Sequence, residues 1–198
     1  MKATEAGLLT FLHKSPQFII PIYQRTYSWT SKQCRELWDD IVRAGSRDDV
    51  GVHFIGSIVY IEQGLSQVSH RAPVLVIDGQ QRLTTLVLLL EALAQSLGEG
   101  EPIEGFSAEK LRQYYLTNSL EKGDGYFKLL LTQTDSDSLK AIIKNTEPPQ
   151  EPSRRITQNF TMFKDLLAER KGNLDAVCNG LAKLVVVDVA LDRDHDNP

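Results

Sequence analysis

Asp78, Gly79, Gln80, Gln81 and Arg82 stand side by side, between the apolar run VLVI (residues 74–77) and a leucine-rich stretch that begins at Leu83. A glycine where a strand turns into a helix lets the backbone bend sharply and lets a ligand approach the first helical N–H groups. Those amides have no intrahelical partners and carry the positive end of the helix dipole, so they suit phosphate. Arg82, in the first turn, can offer phosphate oxygens a two-pronged donor. Gln80 and Gln81 can orient a water or meet a base edge. Asp78 can hold a divalent metal on the phosphates or accept a proton from water. The same five residues also fit a plain capped helix, with Asp78 as cap, Gly79 as tight turn and Arg82 in a surface ion pair. This is not a Walker loop, because the lysine and the longer glycine loop are missing.

A second group of chemistry-bearing residues lies in IPIYQRTYSW (20–29), which holds Tyr23, Gln24, Arg25, Tyr27 and Trp29. In an extended chain, alternation places Tyr23, Arg25, Tyr27 and Trp29 on one side and Gln24 on the other. Aromatics interleaved with arginine can stack on a base or hold a sugar–phosphate backbone. The competing reading has Tyr27 and Trp29 packing the start of the next helix, and for Trp29 it is the preferred one. Gln24 and Arg25, beside Ile19, Ile20 and Ile22, need polar partners, which points to function. The histidines carry less: His53 and His70 read as structural or solvated, and His13 and His195 lie near the chain ends. DSD (135–137) reads as a helix cap and DRDHD (192–196) as a solvated acidic tail, with metal binding the minor option for each. No serine–histidine–aspartate order, cysteine pair or histidine-rich nuclease motif occurs.

The elements that must position these groups follow from periodicity. A short helix is expected near residues 4–12, then an extended entry set by Pro21. Thr30 and Gln33 have capping-box spacing, and Cys34, Leu37, Trp38 and Ile41 form one helical face behind them. HFIGSIVYIE (53–62) and PVLVID (73–78) read as strands joined by a polar loop. From Gln80, leucines recur at helical spacing so densely that the helix is expected to be buried on most sides, until GEGEPIEG (98–105) stops it. Further on, helices are expected over 107–118, 137–145 and around Ile156, Phe160, Phe163 and Leu167. Strands are expected at 125–132 and 184–191, and TEPPQEPS (146–153) is a loop. Residues 1–98 thus read as a core lobe and 99–198 as a mainly helical subdomain. A chain that stops just beyond a strand suggests a piece of something longer.

Bulk properties bound the class. The 198 residues are 41% hydrophobic and 24% charged, ordinary for a globular protein. No apolar run approaches the ~18 residues of a membrane span, and the N-terminus has no signal-peptide cleavage site. Cys34 and Cys178 are too few for a disulfide framework and lack metal-ligand spacing, so a reducing cytoplasm is the natural setting. A net charge of −4 gives no global basic footprint for nucleic acid, leaving only a local basic pocket.

Taken in order, IPIYQRTYSW, HFIGSIV and VIDGQQRLTTL resemble the N-terminal domain of GmrSD-type modification-dependent restriction enzymes. The closest-looking members are the phosphorothioate-sensing defence proteins called SspE. The likeness is strong over residues 1–98 and weaker over 150–197, through RRITQNFTMF and VVVDVALDRD. It implies an α+β fold, with a ParB/sulfiredoxin-like small mixed sheet and buried helices followed by a mainly helical subdomain. It also implies a nucleoside triphosphatase site using GTP or another NTP with Mg2+. Asp78, Gln81 and Arg82 would be catalytic there, with Asp78 as the metal ligand. Gln24, Arg25, Gly79, Gln80, Arg82 and Thr84 would bind nucleotide, while Pro21, Tyr23, Gln24 and Ile77 would sense modified DNA, phosphorothioate among the marks. The expected partners are that DNA, the nucleotide, a C-terminal HNH-type nuclease domain of the same protein, and a second copy of the chain if it oligomerises. The expected setting is a prokaryotic cytoplasm. A non-hydrolytic ParB-like switch or adaptor is the alternative.

Overall fold

The polar joint at residues 78–82 lies where a strand in the middle of a sheet feeds the central helix, and the rest of the fold braces that junction. In the computed structural model, residues 1–62 and 72–191 are described. His70 and the tail at 192–196, with His195, lie outside them. The strands are β1 (Lys2–Gly7), β2 (Phe18–Ile19), β3 (His53–Glu62), β4 (Val74–Asp78), β5 (Leu129–Leu130) and β6 (Leu184–Leu191). The helices are α1 (Leu8–Lys14), α2 (Ser31–Gly45), α3 (Gln80–Leu97), α4 (Ala108–Leu111), α5 (Gln133–Lys144), α6 (Arg154–Glu169) and α7 (Asp175–Ala182). One mixed sheet in the order β1-β6-β3-β4-β2-β5 gathers every strand, an α+β arrangement as expected. The expected division at residue 98 falls at the end of α3, and β5 and β6, which follow it, belong to the same sheet as the strands before it.

α3 carries the core. Every residue from Leu83 to Ala94 on it is buried, and each leucine withdrawn from water contributes roughly 1.5–3 kcal/mol. α6 packs along α3, and α2 packs against α7. At that second crossing Gly45 and Gly180 bring the backbones together: a Cβ on Gly180 would lie 2.0 Å from the Ile41 carbonyl oxygen. The amphipathic reading of α2 holds, with Cys34, Leu37, Trp38 and Ile41 all buried, and Thr30 and Gln33 form the expected capping box.

Several expectations need correcting. Residues 2–7 are not helical but pair antiparallel with β6, from Lys2↔Ala190 to Gly7↔Val185, and the helix starts only at Leu8. The expected helix over 107–118 is one α turn followed by a wider π turn, closed where Thr117 N–H reaches the Arg112 carbonyl at 2.8 Å. The expected strand at 125–132 shrinks to β5, preceded by a tight helical turn over Gly123–Tyr126. α7 had no counterpart in the sequence reading. Two buried carboxylates are balanced by cations: Asp188 on β6 by Lys14, and fully buried Glu91 on α3 by Arg112 at 2.9 Å. Burial raises the Glu91 pKa, while hydrogen bonds from Arg112 and Gln95 pull the other way.

Candidate functional site at the start of the central helix

β4 ends on Asp78, whose side chain is exposed, and Gly79 then turns the chain in the left-handed region at φ 89°. The glycine is required twice over, since a Cβ there would also come within 2.8 Å of the Ser57 carbonyl oxygen on β3. α3 begins at once, and its first closed turn is Leu83 N–H to the Gly79 carbonyl at 2.9 Å. Asp78 does not act as the N-cap residue; Gly79 holds that position, without a side-chain cap.

The two glutamines turn inward. The Gln81 amide is engaged at both ends: its oxygen accepts from Ser28 N–H (2.7 Å), Ser28 Oγ (3.3 Å) and Trp29 N–H (3.3 Å), and its nitrogen donates to the Thr26 carbonyl (3.2 Å). Gln80 Nε2 donates to the Arg25 carbonyl at 3.2 Å. Gln80 Oε1 is buried and, among the described residues, has no partner. A small cavity of about 10 Å³ lies beside the Gln80 residue, lined also by Arg25, Tyr27, Gln81, Thr84 and Asp135. Thr84 is buried and its hydroxyl donates to the Gln80 carbonyl of its own helix.

Arg82 turns the other way, toward β3. Its guanidinium is half-buried and Nη1 donates to the Ser57 carbonyl at 2.9 Å. Burial disfavours its charged form, and the neighbouring Asp78 charge favours it. No carboxylate of the described residues forms an ion pair with it, so the surface-ion-pair reading does not hold. A guanidinium held in this state is a ready ligand for an incoming oxyanion.

The aromatic segment meets this joint, as the sequence suggested, but with a different geometry. A turn closes from Gln24 N–H to the Pro21 carbonyl (3.0 Å), so simple alternation fails. Ile22 and Tyr23 are exposed at 76% and 70%, Arg25 is exposed, and Pro21 and Tyr27 are buried. Gln24 Nε2 donates to the Ile77 carbonyl at 2.8 Å, which joins the two segments directly. Tyr27 packs inward, its hydroxyl bonded to Thr85 (2.6 Å), Asn159 (3.1 Å) and the Cys34 sulfur (3.3 Å). Burial, with the Cys34 sulfur beside it, pushes its pKa up, so its hydroxyl stays neutral and serves as a hydrogen-bonding anchor. Trp29 is partly buried against the core, as preferred.

Residues that the sequence did not assign to the site hold this segment in place. Asp135, read as a helix cap, instead takes Tyr27 N–H (2.7 Å) and Ser153 Oγ (2.5 Å) on its buried carboxylate. Asn159 on α6 donates to the Trp29 carbonyl at 2.9 Å. Acidic Asp135 before an apolar helix and a lone Asn159 on an apolar helix face are weak signals without the fold. Of the described histidines, His53 lies 3.8 Å from Asp40, and exposed His13 has its ring tilted against Tyr114. Both cysteines are buried and free. Among the described residues no group of three or more histidine, cysteine, aspartate or glutamate side chains could hold a metal ion. Asp78 thus fits only the kind of Mg2+ site in which one carboxylate shares the ion with ligand phosphates and water. No helix among the described residues is long and apolar enough to cross a membrane.

A comparison with curated proteins gives no match. The family profile described as the N-terminal domain of GmrSD restriction endonuclease matches residues 8–197, nearly the whole chain, and takes in both segments of the site. The chain belongs to the family of GmrSD restriction endonuclease N-terminal domains.

Proposed function

We propose that this domain binds a nucleoside triphosphate, GTP or another, at the start of α3, hydrolyses it with Mg2+, and couples turnover to recognition of modified DNA in a restriction and defence enzyme. The observation that carries the reading is Arg82, a half-buried arginine that forms no ion pair with a carboxylate among the described residues, at a helix N-terminus opened by a left-handed glycine. In this reading Gly79 and the first N–H groups of α3 meet phosphate, Arg82 grips its oxygens, and Gln24 and Arg25 line the nucleotide's approach, while inward-turned Gln80 and Thr84 act from behind the helix start by holding its shape. Asp78 holds Mg2+ or takes a proton from water, and Gln81 completes the catalytic set. The metal supplies charge neutralisation on the phosphates.

Pro21, Tyr23, Gln24 and Ile77 are the proposed sensor of the DNA mark. Exposed Tyr23 on a turn tied to Ile77 through Gln24 supports it. Softer, less hydrated sulfur suits such a partly apolar surface, which makes phosphorothioate DNA, as in SspE-type proteins, the favoured mark. Family membership supports a role in defence beside a nuclease domain of the same protein. GTP hydrolysis by wild type and Arg82→Ala, with and without modified duplex, tests the reading. Arg82→Ala should lose about tenfold or more in turnover; unchanged turnover sinks the phosphate assignment.

A second reading, a nucleotide-dependent switch without hydrolysis, draws support from Gln81, whose amide is committed to the 26–29 segment. Tight GTP binding without metal-dependent phosphate release would favour it.

A further inference from the structure

HFIGSIV, the first part of β3, touches the site at one point. β3 slips register against β6 between Phe54 and Ser57, and Gly56 sits in that bulge at φ 107°. A Cβ on Gly56 would lie 2.7 Å from Cζ, Nη1 and Nη2 of Arg82 alike. A point equally far from three bonded atoms of a planar group lies over its face, so the guanidinium lies flat across the glycine. The next residue, Ser57, receives Nη1 on its carbonyl, the same oxygen that Gly79 approaches. One face and one nitrogen of the guanidinium are thereby fixed. The Nε and Nη2 edge has no acceptor among the described residues, and it is the edge that forks onto an oxyanion.

We propose that Gly56 is a positioning residue that aims the Nε–Nη2 edge of Arg82 at one tetrahedral oxyanion, making the β3 bulge the third wall of the site. This rests on the reading of Arg82 as a phosphate ligand. Any side chain at residue 56 pushes the guanidinium off the bulge and turns that edge away, without touching the ligand itself. A role confined to the backbone of β3 would not depend on what stands at residue 82.

Three readouts on the 198-residue chain test it. In Gly56→Ala, GTP affinity measured with Mg2+ should fall about tenfold to a hundredfold, the worth of one charge-assisted hydrogen bond, and Arg82→Ala should lose no more when Gly56→Ala is added. The melting temperature should fall less when Gly56→Ala is made on Arg82→Ala than on wild type, because the clash has been removed and only the backbone strain remains. Labelling of Arg82 by phenylglyoxal, read by mass spectrometry, should speed up several-fold in Gly56→Ala. Equal melting losses in both backgrounds, unfolding of both included, or unchanged Arg82 labelling overturn the proposal. If wild type binds no GTP, the phosphate reading fails, while labelling and melting still judge the placement of Arg82 by Gly56.

Discussion

Gln81→Ala separates a bracket from a catalyst. The Gln81 amide joins α3 to three residues of the aromatic segment through four hydrogen bonds, the shortest at 2.7 Å to Ser28 N–H. Leaving buried partners unsatisfied costs roughly 1–3 kcal/mol. Gln81 itself is 7% exposed, but Ser28 and Thr26 are open to solvent and can rebond to water, so the upper limit does not apply. About 2 kcal/mol is the expected loss, which lowers the melting temperature by roughly 4–8 °C in a chain of this size. Calorimetry reads that loss, and hydrogen exchange locates it: amides of Ser28 and Trp29 should exchange faster while those in the middle of α3 stay protected. Gln81→Glu should behave similarly, because an oxygen would then face the Thr26 carbonyl. A Gln81→Ala chain with wild-type melting and unchanged exchange at Ser28 would refute the bracket, and a loss of turnover larger than the melting loss explains would support its place in the catalytic set.

Other outcomes follow from the packing. Arg112→Ala strands the Glu91 carboxylate at 0% exposure and should cost about 3 kcal/mol, the lower end for a broken buried pair because Arg112 is partly open to solvent; urea unfolding checks it. Glu91 has its folded pKa raised above the ordinary 4.5, so the folded chain holds this proton more tightly than the unfolded one. Its contribution is greatest below pH 4.5 and falls as pH rises through the folded value, a decline that Glu91→Gln should remove from the stability–pH curve. Gly180→Ala drives a methyl onto the Ile41 carbonyl, against backbone rather than a movable side chain, and should cost more than about 3 kcal/mol or abolish folding, read by circular dichroism and yield.

Where the sequence could be read, local pattern and tertiary need agreed. α3 begins and β3 and β6 run where leucine spacing and β-branched runs placed them, and Thr30 with Gln33 marked α2. β1 was illegible because Lys2–Gly7 is almost wholly exposed, so no buried alternation exists to reveal it; its conformation is dictated by β6, far away in the chain. α7 hid because it is short and contains Gly180, a poor helix former kept for close packing. At the site, the meeting of Gln24 with the end of β4 was foreseeable as a juxtaposition of motifs. The inward turn of Gln81 and the part played by Asp135 and Asn159 were not, since each depends on long-range contacts without periodic trace.

The position of β6 also has a consequence for how the chain reaches its native state. β6 lies between β1 and β3, so the two sides of the sheet meet only through a strand made from residues 184–191. Pairing Lys2 with Ala190 closes almost the entire polypeptide into one loop, and β3 joins β6 in parallel over a long separation. Contacts of that span are slow to form. On the ribosome β1 has no neighbour, and β3 one bare edge, until nearly all of the domain has emerged. That waiting period is when the nascent chain is most open to mispairing, and it makes β6 the strand on which the yield of folded protein most depends.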